Sequence, residues 1–190
     1  MGTRGIYGFR KNGVDKLSYN RYDSYPDYLG EQVCKFCAGY TLPEMNDLFD
    51  KIVMVDESAK PTNEQIGQCM SAGLADLSVS TQKVDDWYCL LRNAQGDLTV
   101  LDKLVKSGGV AYMIDNQEFI KDSLFCEFGY IINLDTNMLE FWVGFQREPQ
   151  EGNRYGEEQE DGYYPCALKA EFPLDGDFSD VVDKMNKISD

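Results

Sequence analysis

The hydrophobic residues of this chain change their repeat along its length, and that change restricts the fold more than any other feature. Through the middle third, apolar side chains recur at helical spacing. Met45, Leu48, Phe49, Ile52 and Val55 follow Pro43; Val84, Trp87, Leu90 and Leu91 come next; then Leu101, Leu104 and Val105. A repeat of about 3.6 residues places such side chains on one face of a helix. Beyond Gly108-Gly109 the repeat shortens to two: in residues 138–146, Leu139, Phe141, Val143 and Phe145 alternate with Glu140 and Trp142, the pattern of a half-covered strand.

Strand-like segments also open the chain. Residues 4–10 and 14–19 flank Asn12-Gly13, the dipeptide that suits a two-residue type I′ hairpin turn, because that turn needs positive φ at both positions. Pro26 then starts a helix expected over 27–38 and stopped near Gly39. Further helices are expected from Pro43 through Val55, over 63–72, over 83–93 and over 98–106. Strands follow at 110–114, 124–134, 138–146 and 163–172, and an amphipathic helix carrying Phe178, Val181, Val182, Met185 and Ile188 closes the chain. Strands at both ends with helices between predict one α+β domain over residues 1–190. Its single, mostly antiparallel sheet pairs the N-terminal hairpin with the C-terminal strands, and the helical middle and C-terminal helix pack on it.

Composition narrows function by exclusion. Hydrophobic residues make up 43% of the chain, enough for a core, so global disorder is excluded. The net charge of −15 opposes a phosphate backbone, so direct nucleic-acid binding is not expected; a protein partner with a basic surface is. No apolar leader and no run of about 18 apolar residues is seen, so neither export nor a membrane is expected. The six cysteines therefore read as free thiols of a cytoplasmic protein. With no histidine, Ser-His-Asp, Cys-His and His-ligated metal chemistry are excluded. Cys34 and Cys37 form a CxxC on a helix without the two further ligands that zinc needs, and Asn133 to Asn137 fits a tight turn better than a calcium loop. No catalytic residue, metal or cofactor is assigned.

Two groups of residues are candidates for binding. Thr3, Arg4, Asn20, Asp23, Ser24 and Tyr25 gather just past the end of the hairpin, where loops carried by a sheet often hold ligands. Asp23 is expected to accept from Arg4, although Asp23 and Ser24 also suit the cap of the next helix, which is the stronger expectation. Thr3 near the chain start loosely resembles an N-terminal nucleophile, but loss of Met1 exposes Gly2 instead. The second group lies in residues 147–162, expected to be the most mobile loop: Glu157, Glu158, Glu160 and Asp161 form an acidic patch with Tyr155 and Tyr163 as aromatic anchors.

Two blocks look familiar. Gly2, Thr3 and Arg4, followed by Tyr19, Asn20, Asp23, Ser24, Tyr25, Pro26, Leu29 and Gly30, and later the run Cys126 to Gln146, resemble a family of uncharacterised bacterial, phage and fungal proteins. Its members begin MGTR and carry a YNxxDSYPxxLG segment and a later hairpin. Asn133 and Trp142 depart from that hairpin's pattern, which has Asp and Tyr there. The resemblance implies a shape and no named activity. The expectation for function is a non-catalytic binding or inhibitory protein, of the kind phages encode, that occupies a basic or nucleic-acid-binding site of a partner in the (host) cytoplasm. The alternative is an enzyme or small-molecule binder with an N-terminal pocket.

Overall fold

The computed structural model describes residues 2–189. The opening hairpin forms as its turn chemistry dictates: β1 (Gly5–Lys11) and β2 (Val14–Asn20) pair antiparallel, and Asn12 and Gly13 hold φ of 53° and 72°. The C-terminal strands β5 (Phe128–Asn133), β6 (Met138–Val143) and β7 (Ala167–Pro173) complete a five-stranded sheet of order β2-β1-β5-β6-β7. The fold is α+β and this sheet is mostly antiparallel. The hairpin joins it through a parallel ladder, Gly5 beside Phe128 and Arg10 beside Asn133.

Two of the helices are shorter than the hydrophobic repeat suggests, those expected from Pro43 through Val55 and over 83–93. Pro26–Gly30 makes a π-helical turn that runs into α1 (Glu31–Gly39). Next, α2 (Leu42–Lys51) starts with a capping box: the Thr41 hydroxyl accepts from the Glu44 amide, and the Glu44 carboxylate accepts from the Thr41 amide. It stops at Lys51. Ile52 and Val55, expected on its apolar face, belong instead to β3 (Ile52–Val55), where two β-branched residues and Val53 favour extended backbone.

A second capping box, Thr62 with Gln65, opens α3 (Asn63–Ser71). The helix expected over 83–93 shrinks to α4 (Trp87–Leu90) and a 3-10 turn, because Asp86 caps the Tyr88 amide at 2.8 Å and leaves Val84 exposed. Then α5 (Val100–Gly108) ends where Gly109 takes φ of 82°, and β4 (Ala111–Ile114) pairs parallel with β3. This two-stranded parallel sheet with helices between its strands is a layer that the expected single sheet did not include. The C-terminal α6 (Val181–Ser189) packs beside the π-helical turn and β7.

Both faces of the large sheet are covered, by different material. Tyr7, Phe9, Phe128, Tyr130, Ile132, Leu139 and Phe141 point into the main core, against Val33 and Phe36 of α1, Met45 and Leu48 of α2, and Leu101 and Leu104 of α5. Each such fully buried side chain contributes about 1.5–3 kcal/mol of transfer free energy. On the opposite face Ile6, Leu17, Ile131 and Trp142 pack with Ile120, Cys126 and Cys166 from irregular segments. Phe119, Tyr155 and Leu168 add partly buried cover there. Every buried side-chain nitrogen and oxygen among the described residues has a hydrogen-bond partner.

Candidate functional site

The segment after β2 is held by a buried polar knot rather than by side-chain caps. Asn20 donates its amide to the Tyr22 carbonyl at 2.6 Å and to Ser24 Oγ at 2.9 Å. The Ser24 amide donates to the Thr3 carbonyl at 3.2 Å, and the Tyr130 hydroxyl donates to the Ser24 carbonyl at 2.8 Å. Thr3, Asn20 and Ser24 are thereby buried, at 3%, 6% and 0% exposure. Neither hydroxyl is open to a substrate, which removes the geometric basis for a nucleophile at Thr3.

Two expectations for this segment are corrected. Arg4 does not meet Asp23; its guanidinium lies 4.8 Å over the Phe125 ring. Nor do Asp23 or Ser24 cap the helix. The residue preceding the π-helical turn is Tyr25, no side chain caps it, and Asp23 contributes only its carbonyl, which accepts from the Leu29 amide at 3.1 Å. The Asp23 carboxylate is exposed, and its backbone sits at φ of 53°, a left-handed conformation that Asp tolerates better than most residues. Tyr25 is exposed, its ring tilted against Phe128 at 5.8 Å.

Around this knot lie two open clefts that share Tyr22. The first, about 260 Å³, carries Asn20, Asp23, Asp27 and Glu31 on its walls and faces Gln95 and Gly96. The second, about 540 Å³, is walled by Gly2, Arg4, Tyr19, Arg21, Tyr22 and Tyr88. Arg21 donates to the Tyr88 hydroxyl at 3.1 Å and lies 5.3 Å from the Tyr22 ring. Burial raises the Tyr19 hydroxyl above its usual pKa, and the nearby Arg4 and Arg21 guanidiniums oppose that rise. Arg21, Tyr22 and Tyr88 were not singled out from the sequence; the adjacent Arg21-Tyr22 pair was the available signal, while Tyr88 arrives from α4 through tertiary contact alone.

The acidic loop is not free along its length. Arg154 closes on both oxygens of Glu140, at 2.8 and 2.5 Å, and Glu140 also accepts from Trp142 Nε1 at 2.9 Å and Asn133 Nδ2 at 2.7 Å. Tyr155 donates its hydroxyl to Asp15 at 2.8 Å and packs edge-on against Trp142 at 5.0 Å. Asn153 Nδ2 donates to the Cys166 carbonyl at 2.9 Å. Residues 153–155 therefore bolt the loop to the outer face of the sheet, and Tyr155 is a packing residue rather than an exposed anchor. Tyr163 stands half-buried with the Arg147 guanidinium 3.9 Å over its ring. Beyond these bolts, Glu157, Glu158, Glu160 and Asp161 are all exposed, and none forms an ion pair among the described residues. The Glu157 carboxylate accepts from the Gly152 amide at 3.0 Å, which fixes its base.

All six cysteines are buried and free; burial pushes the Cys34 thiol up to about 12 and Cys69 to about 11. Among the described residues no group of His, Cys, Asp and Glu is placed to hold a metal, and no helix is long and apolar enough to cross a membrane. Fold and surface together define an α+β protein with an acidic loop on one face and paired open clefts at the end of its first hairpin. Compared with protein-family models, with curated proteins and with solved structures, the chain matches none.

Proposed function

We propose that this chain is a non-catalytic binding protein that presents an acidic edge to a protein partner with a basic surface, such as a groove that otherwise holds nucleic acid. The observation that supports it is the 157–161 segment: four exposed, unpaired carboxylates on a loop already anchored through Arg154 and Tyr155. A pre-ordered loop loses little conformational freedom on docking, and the net charge of −15 steers it toward positive partners. In this reading the protein works in the cytoplasm, the host's where a phage encodes it. The test compares capture of proteins with basic grooves by the native chain and by a variant carrying E157Q, E158Q, E160Q and D161N. The variant is expected to associate more slowly and with a weaker salt dependence. Association that is unchanged from about 0.1 M to about 1 M salt, where screening shortens from about 10 to about 3 Å, would sink the proposal.

A second reading, a small-molecule binder with an N-terminal pocket, is favoured by one specific observation. Both clefts beside Tyr22 draw most of their walls from the opening hairpin and the segment that follows it. Burial of Thr3 and Ser24 argues that such a pocket binds rather than reacts through those hydroxyls. A ligand held there raises the melting temperature, and the stabilisation grows with the logarithm of free ligand concentration once the site is saturated.

A further inference from the structure

The larger cleft differs in chemistry from the rest of this acidic protein. Its walls hold two guanidiniums and three phenols and no carboxylate. The chain has 33 acidic residues against 18 basic ones, yet neither Arg4 nor Arg21 forms an ion pair among the described residues. Both are instead oriented by aromatic and phenolic contacts, Arg4 over Phe125 and Arg21 against Tyr22 and Tyr88. Gly2 is one of the wall residues, and a Cβ there would lie only 2.4 Å from Tyr22 Cδ1, so the Tyr22 ring rests close on its backbone.

We propose that this cleft binds a free nucleoside phosphate, its base stacked on the exposed Tyr22 ring and its phosphate gripped by Arg4 and Arg21. A guanidinium fork matches two phosphate oxygens, and neither fork is closed in an ion pair, although the Asp122 carboxylate lies near enough to feel the Arg4 charge. Tyrosine faces accept bases of any identity by stacking. A volume of about 540 Å³ falls in the range that holds small ligands. A polynucleotide is disfavoured on charge: leaving the cleft past Tyr22, its next phosphates would meet Asp23, Asp27 and Glu31 in the neighbouring cleft. The inference rests on the second reading above, that the N-terminal end takes a small molecule.

The test titrates the 190-residue chain with AMP, adenosine, inorganic phosphate, phenyl phosphate and a short oligothymidine, reading the Tyr19, Tyr22 and Tyr88 ring resonances. AMP is expected to saturate, with adenosine and inorganic phosphate each weaker by about tenfold or more. Arg21→Gln and Arg4→Gln are each expected to weaken AMP by about tenfold, Arg21→Gln at an unchanged melting temperature because Arg21 is exposed, whereas Arg4 is half-buried over Phe125. Equal binding of AMP and adenosine, undiminished AMP binding by Arg21→Gln, or tighter binding of the oligothymidine would overturn the proposal. Saturation by phenyl phosphate without AMP would overturn the nucleotide class while leaving the small-molecule reading standing. Silence of all three tyrosines to every probe would overturn the nucleoside-phosphate proposal.

Discussion

Glu140 and Arg154 meet as a two-pronged ion pair on the outer face of the sheet, with the carboxylate 2% exposed and the guanidinium 24%. Two further donors, Trp142 and Asn133, complete the carboxylate's shell. Truncating Arg154 to Ala leaves a buried charge short of its counter-ion. Arg154→Ala is expected to cost about 3–5 kcal/mol in urea unfolding. It should also open residues 147–162 to limited proteolysis. Glu140→Gln, which keeps shape and an acceptor, is expected to cost less.

The two hairpin turns are joined through Asp135, whose carboxylate accepts from the amides of Asn12 and Gly13 at 2.6 and 2.9 Å. These bonds hold the Asp135 carboxyl below the usual carboxylate range. A depressed folded-state pKa adds stability that is present above the unfolded value near about 3.9 and is lost as pH falls through the lower folded value. Because Asp135 is exposed, solvent screens the effect. Asp135→Asn is expected to lower stability by about 1 kcal/mol or less at pH 7, with the gap to the native chain closing as pH falls through the depressed folded-state pKa. Parallel acid denaturation curves over that window would contradict this.

Asp23 separates a binding role from a backbone role by its substitutions. At φ of 53°, Ala carries a steric penalty that Gly does not. Asp23→Ala is expected to destabilise by about 1 kcal/mol relative to Asp23→Gly, by thermal melting. Ser24→Ala removes the hydroxyl that receives Asn20, and is expected to cost about 1–2 kcal/mol.

Gly8 sits in β1 at φ of 149°, and a Cβ there would fall 2.0 Å from the Lys16 carbonyl oxygen. Neither strand can move without breaking the hairpin ladder. Gly8→Ala is expected to cost about 3 kcal/mol or more and to reduce soluble yield, as read by denaturant unfolding of whatever folds.

The buried cysteines give a kinetic probe. Thiolate is the reactive form, and all six thiols are at 0–4% exposure. At pH 8 a disulfide reagent is expected to label them only as fast as the chain opens, and all six together in denaturant. Rapid labelling of Cys34 or Cys37 in the folded protein would show that α1 opens locally.

What could be read in advance was local. Asn12-Gly13, Gly109 and the strand pair around Asp135 to Asn137 each announce themselves through a backbone conformation that few residues tolerate, and each turn forms where expected. The errors come from residues whose fate is decided at a distance. Ile52 and Val55 continue the helical repeat of α2, yet a short β-branched run is ambiguous by period, and the parallel partner β4 settles it. Glu140 alternates as if solvent-facing, because alternation cannot reveal that the second face of the sheet is also covered. Phe145, expected to continue the alternating strand over 138–146, lies beyond the end of β6 at φ of 55° and is 51% exposed. At the candidate site the expected pairing of Arg4 with Asp23 does not form: Arg4 faces Phe125, and Tyr22 and Tyr88 line the same cleft.

The parallel ladder between β1 and β5 has a consequence for synthesis. The hairpin leaves the ribosome early, but the strand that lies against its inner edge is encoded more than a hundred residues later, Gly5 waiting for Phe128. At roughly 5–20 residues per second the nascent chain carries an unsatisfied row of backbone amides for on the order of ten seconds. During that interval Gly8 and its neighbours form an open template for any other extended chain. A factor that shields newborn β edges is therefore expected to raise the yield of this protein more than one acting on the finished chain.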